Sequence, residues 1–257
     1  MDSSSPMSDT RVWLRLRFAA WLAVAVHLLA GVAMATVLRL GLDTTSDLPI
    51  RLRFLVESTP LWIGGWLTWN LAALSILYFY LAFAAAHATE KDAPITPLAF
   101  AAVLSIVGMA ADLAAEAIEM GVLPGLARQA LDAMARGVDQ STAAAAFFAF
   151  HRTAVVMTGY LANGLYTLSA IVLAWSTRRS YPQWVWMAGL GVGLSGLALS
   201  CASLANSVEG MFWSNVALVP CIVLWQLGVA LTASHRAHLP LDDQSASDPA
   251  LKMKKRF

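Results

Sequence analysis

The chain has 257 residues, of which 58% are hydrophobic and only 13% charged, with ten tryptophans and a formal net charge of +1. An average soluble domain carries about 25% charged residues, so too little charge is present here to cover a water-facing surface of this size. Composition therefore excludes an ordinary soluble domain, the near-zero charge excludes a nucleic-acid footprint, and a chain solvated by lipid is expected.

In chain order, the polar and then basic start, MDSSSPMSDTRVWLRLRF, precedes an apolar run too long for the core of a cleaved signal. It is read as a short disordered tail over residues 1–10 followed by an uncleaved first span at about 12–40. A spanning helix needs about 20 mostly apolar residues. Five further segments meet that test, at about 61–87, 98–123, 147–176, 184–204 and 211–234. Pro60, Pro97 and Pro182 stand at or before the starts of spans two, three and five, where a missing N–H costs least. Pro220 alone lies inside a span and predicts a local kink.

The expected fold is thus all-α, a polytopic six-helix transmembrane bundle occupying residues 11–235. Residues 41–59 form a medium connection with an interfacial turn. The segment GLARQALDAMARGVD, 125–139, alternates apolar and polar residues at helical spacing, which predicts a short amphipathic outer helix between spans three and four. The tail 236–257 is polar, ends KMKKRF, and is expected to be disordered.

Six spans put both ends of the chain on one side. That side carries eleven of the 17 Lys and Arg residues, against six on the other. Positive residues favour the cytoplasmic face, so both termini are expected in the cytoplasm and the protein in a bacterial-type inner membrane. The two halves share no repeated motif.

Span three contains ADLAAEAIEMG, and its Asp112, Glu116 and Glu119 fall at i, i+4 and i+7, one helical face. With ~1.5 Å of rise per residue, Asp112 stands ~4–5 Å outward of the midplane, Glu116 ~10 Å and Glu119 ~15 Å. An acid near a helix centre costs about 2.5–3.5 kcal/mol to insert, so such groups face the bundle interior or a wet cavity. Asp112 is the one that depth does not excuse.

Span two contributes Trp62, Trp66 and Trp69 at the same spacing, with Asn70 at the depth of Asp112. Trp62 reads as an interfacial belt residue; Trp66 and Trp69 read as packing or as an aromatic wall beside the acids, suited to a cation. Span four brings His151 and Arg152 level with Glu116 and Glu119, and an ion pair from Arg152 to one of these acids is expected. Tyr160 and Asn163, three apart, share a face lower down. Glu209 and Asn215 add polar groups near the same surface.

Other chemistries find less support. The motifs of di-metal bundles and zinc proteases are absent, and the histidines stand at mismatched depths for a two-histidine haem. No GxSxG and no nucleotide loop occurs. Gly189, Gly193 and Gly196 of span five read as close-packing positions, and Cys201 and Cys221 as small packing residues. No catalytic residues, metal or cofactor are expected.

The expected function is binding of a small cationic or protonatable ligand at an outward-facing polar pocket, with translocation as its extension. The ligand site would comprise Asp112, Glu116, Glu119, Trp66, Trp69, Asn70, His151, Arg152, Tyr160 and Asn163. The alternative is a non-catalytic accessory or sensor protein that binds a lipid, a quinone or a partner helix, with its acids paired structurally to Arg152.

Overall fold

The computed structural model describes residues 7–137 and 140–238. Of the tails expected over residues 1–10 and 236–257, residues 7–10 and 236–238 belong to helices, and residues 1–6 and 239–257, like 138–139 of the amphipathic segment, lie outside the described residues. Within the described residues every regular element is a helix, because a backbone in lipid must satisfy its own hydrogen bonds. Helix α1 is Met7–Thr36, continued by a 3-10 turn at Leu38–Leu40; α2 is Leu48–Glu57 and α3 Thr59–His87. Next come α4, Ile95–Gly121; α5, Leu123–Ala135; and α6, Gln140–Val155, which runs through a π-helical stretch, Val156–Ala162, into α7, Asn163–Ser176. A 3-10 turn at Arg178–Ser180 leads to α8, Gln183–Leu204, and α9, Val208–His238.

Six of these segments are long and apolar enough to cross a membrane: Thr10–Leu40, Thr59–His87, Ile95–Ala135, Ala144–Ser176, Gln183–Leu204 and Val208–Ala237. Large apolar side chains cover their outer faces, Phe18, Leu61, Leu194 and Trp213 among them. Such a belt is far larger than the apolar patches a water-soluble monomer exposes. The chain is a multi-pass membrane protein.

The spans close into a ring in which each packs on two neighbours: α1 on α3, α3 on α4, α4 on α7, α7 on α8, α8 on α9, and α9 back on α1. The small residues of α8 set its spacing. A Cβ at Gly189 would press on Ala174 and Trp225, one at Gly193 on Ile171, and one at Gly196 on Thr167. These three glycines let α8 lie close against α7 and α9, as their spacing suggests.

The two ends of the ring differ. At the proximal end, which holds the start of α1 and the end of α9, the interior is filled by aromatic rings. Phe79 meets Trp225 at 5.4 Å between centroids, and Phe83 stacks on His87 at 4.3 Å and on Tyr181 at 5.7 Å. Arg236 locks this end, with Nη1 on Glu90 Oε1 at 2.6 Å, Nη2 on the Ser180 carbonyl at 2.9 Å, and the guanidinium 4.5 Å from the Trp13 ring.

At the opposite, distal end the connections form a roof. The segment 41–59 holds a helix, α2, where sequence suggests only a turn. Asp47 caps it by accepting from the Ile50 amide at 2.9 Å, and Pro49 sits in its first turn. Helix α5 buries Leu123, Ala127, Ala130 and Ala133, a single amphipathic face, against α2 and α6. Leu38, Leu52, Leu55, Trp62 and Phe147 complete this second core.

Candidate functional site

The interior stripe of α4 runs Leu98, Ala101, Ser105, Gly108, Asp112, Glu116 and Glu119, so the three acids continue the face that packs inward. All are buried; Glu116 is 0% exposed. Beside Asp112 and Glu119, between the aromatic plug and the distal roof, the ring encloses a half-open cavity of about 1290 Å³. Ligand sites usually measure about 300–1,000 Å³, so this space takes more than a small ion.

The cavity wall is mostly apolar, with Met34, Ala72, Ile76, Val192, Leu218 and Ile222 among its residues. Polar groups enter it at separated points: Asp112, Glu119, His151, Asn163, Tyr166 and Ser203, with His27, Glu209 and Asn215 from the first and last spans. Trp66 and Trp69 form part of the wall. Three polar atoms of buried lining residues have no hydrogen-bond partner: Trp66 Nε1, Glu119 Oε2 and Ser203 Oγ. Buried polar groups are normally paired, and unpaired ones on a cavity wall mark places for a ligand's own polar atoms.

Glu119 and Asp112 are held differently. Glu119 Oε1 meets His151 Nδ1 at 2.9 Å, while His151 Nε2 meets Asp43 Oδ2 at 3.1 Å. With each ring nitrogen facing a carboxylate oxygen, the imidazole stands as a two-donor bridge. Asp43 Oδ1 in turn accepts from Arg51 Nη1 at 2.5 Å, and Arg51 Nε donates to the Gly41 carbonyl at 3.2 Å. Phe147 lies beside both cations, stacked on His151 and 5.6 Å from the Arg51 guanidinium. A chain of four alternating charges therefore ties the roof segment to spans three and four. Burial by itself raises the Asp43 carboxyl; the hydrogen bond and charge of His151, joined by Arg51, outweigh it and bring it down to about 2.

Asp112 has a lighter tether, one hydrogen bond accepted from the Thr158 hydroxyl. Thr158 and Asn163 both reach the cavity, five residues apart, because the backbone between them winds as a π-helix. Asn163 Nδ2 donates to the Gly196 carbonyl at 2.7 Å and to Ser200 Oγ at 2.9 Å, which fixes this stretch against α8. Gly159 lets it approach Ser203 closely, and Gly108 lets α4 approach Ala162 and Tyr166.

Several sequence expectations are corrected here. Trp62 is no interfacial belt residue: α2 and the 3-10 turn cover it completely, and its Nε1 donates to the Glu119 carbonyl at 2.8 Å. The partner of Glu119 is His151 and not Arg152. Adjacent helical residues point about 100° apart, so only one of the two faces inward. Arg152 instead donates to the Leu204 carbonyl at 2.9 Å, at the C-terminal end of α8, where a cation is favoured. Tyr160 does not share the face of Asn163, since the π-helical winding breaks the i, i+3 relation and leaves it 44% exposed on the outside.

Glu116 and Asn70 do not line the cavity. Both carboxylate oxygens of Glu116 and the Asn70 amide oxygen are buried without partners. Asp43, Arg51, Thr158 and Ser203 belong to the site and were not anticipated. Asp43 gives no local signal to separate it from Asp47 in the same connection, and Thr158 becomes visible only through the π-helical turn. Among the described residues no three His, Cys, Asp or Glu side chains gather as a metal site. Comparison with known proteins adds no relative: no protein family, no curated protein and no solved structure matches the chain.

Proposed function

We propose that the chain binds an amphipathic molecule in the distal cavity, its apolar body against the wall and a cationic or protonatable group at Asp112 and Glu119. The observation that carries this reading is a space of about 1290 Å³, mostly apolar, into which buried and partly unpaired polar atoms project at a few points. A small inorganic cation would leave most of that volume without contacts. A chain- or ring-bearing amine would fill it and supply donors to acids whose burial in the membrane is otherwise costly. Trp66 and Trp69 offer ring faces to the same cation.

Binding is favoured over an open conduit because the aromatic plug of Phe79, Phe83, Trp225 and Tyr181 fills the ring on the proximal side of the cavity. With eleven of 17 basic residues on the side of the termini, we place that side in the cytoplasm of a bacterial-type inner membrane. The cavity then faces the far side. Through its Oε1, Glu119 joins His151, Asp43 and Arg51 in the architecture of the roof, which leaves its unpartnered Oε2 beside Asp112, the principal acceptor, for the ligand.

The test is a comparison of dodecylamine with dodecanol, equal in chain length and different in charge, as stabilisers of the protein in nanodiscs. The amine should raise the melting temperature more than the alcohol, and Asp112→Asn should remove that difference while leaving the unliganded melting temperature close to wild type. Equal effects of the two compounds on the wild-type protein would defeat the proposal.

A further inference from the structure

We infer that the cavity is loaded sideways from the bilayer, through a gap between the distal halves of α1 and α9, and that its occupant is a membrane-dissolved, chain-bearing amphipath and not a solute of the aqueous phase. This rests on the reading of the distal cavity as a ligand site.

Helices α1 and α9 are neighbours in the ring and meet where Gly31 faces Val219, whose Cγ1 lies 3.9 Å from the position a Cβ at Gly31 would take. Distal to that contact each helix is fastened to its other neighbour. Beyond α1, Leu38 packs on Gly65, and Gly41 lies under the Trp62 ring, which draws the chain toward α3. Beyond Val219, the start of α9 is drawn toward α8: Gly210 sits against Ala202, and the Ser207 amide donates to the Ala202 carbonyl at 2.9 Å. Two helices in contact at one level and tethered outward above it diverge.

Pro220 lies at the level where α9 turns away. It has no amide to give the carbonyl of Val216, and a proline ring at this position crowds that carbonyl, an arrangement that favours a bend. Both Val216 and Pro220 line the cavity.

The residues flanking the divergence have the exposure of a doorway. Leu28 and Val32 on α1 and Phe212 and Val216 on α9 line the cavity and are each at least 50% exposed. A side chain that borders an interior space and also stands open on the lipid-facing side of the ring marks its mouth. These four rim side chains are apolar, which suits an acyl chain sliding in from the bilayer, while His27, Glu209 and Asn215 add polar groups to the wall on the same two helices. Polar lining groups such as Asp112 and Glu119 lie on α4, across the ring from this opening. A chain-first or headgroup-first occupant would therefore keep its apolar part at the doorway and its cationic part at the acids.

The experiment uses the full chain with Cys201→Ser and Cys221→Ala, carrying Val32→Cys and Phe212→Cys, reconstituted in phosphatidylcholine vesicles that contain a phosphatidylethanolamine with dibrominated acyl chains. Bromine quenches nearby tryptophan fluorescence. The contribution of the cavity rings is taken as the difference from a Trp66→Phe/Trp69→Phe partner protein. Quenching of that contribution is expected with the cysteines free, and its loss is expected when a bismaleimide bridges them before reconstitution. Equal quenching with and without the bridge would overturn the lateral route. No quenching of Trp66 and Trp69 in the unbridged protein would also overturn it; if dodecylamine then still stabilises the wild type over dodecanol, the ligand reading survives, and if it does not, both fall together.

Discussion

Replacing Asp43 with Asn removes one charge from the centre of the roof network while keeping the shape of the side chain. Asp43 holds His151 Nε2 at 3.1 Å and Arg51 Nη1 at 2.5 Å, and so joins the 41–58 connection to span four. Its carboxyl lies at about 2 against an ordinary 3.8, which converts to roughly 2 kcal/mol of preference for the charged, closed roof. The side chain is 28% exposed, so solvent screening reduces this to about 1–2 kcal/mol. Loss of that amount raises the population of an open roof about 5- to 30-fold. The groups facing Asp43 are Arg51 from α2 and His151 from α6, with Glu119 of α4 beyond the histidine. Because the folded carboxyl is depressed, its contribution is complete above pH ~4 and disappears as pH falls toward ~2. Hydrogen exchange in nanodiscs measures this directly. Protection factors of amides 41–47 should drop 5- to 30-fold in Asp43→Asn at pH 7, by the same estimate, with α8 unchanged. The wild type should approach the variant as pH is lowered through that window. Unchanged protection in the variant at pH 7, or parallel pH curves for the two proteins, would refute the network as a tether.

His151→Ala deprives two carboxylates of their shared donor, one of them the buried Glu119; breaking a buried pair from one side costs about 3–5 kcal/mol, and thermal unfolding in detergent should show a correspondingly large loss that His151→Gln restores in part. Gly196→Ala places a Cβ against Thr167 at the α7–α8 contact; overpacking of this kind costs about 1–3 kcal/mol, and Thr167→Ala in the same chain should recover more stability than the two single changes predict by addition.

Much of the site was legible before any folding was considered, although not its chemistry of contacts. The i, i+4, i+7 spacing of Asp112, Glu116 and Glu119 placed the acids on one face, and the cost of an acid in lipid turned that face inward. Trp66, Trp69 and Asn163 were placed near them by helical spacing and depth, and all three stand at the cavity. Where regular geometry broke, the reading broke with it. A π-helical stretch turned Tyr160 outward and Thr158 inward, and no periodicity of 3.6 foresees that. Covering of Trp62 depended on α2 folding back over the ring, a long-range event. The choice of His151 over Arg152 depended on which of two adjacent side chains faced α4.

The amino-acid sequence by itself determined that the chain lives in lipid, that it crosses in six apolar helices, and that a carboxylate face had to point inward. Those outcomes follow from local quantities: length of an apolar run, helical spacing, and the free energy of a charge in hydrocarbon. Only the tertiary structure decided that the helices close into a ring, that one end of the ring is packed with aromatic rings while the other is hollow, and that Asp43 reaches across to His151. Those outcomes depend on which residues distant along the chain become neighbours, and on volumes left between them, and neither is a property of any single stretch.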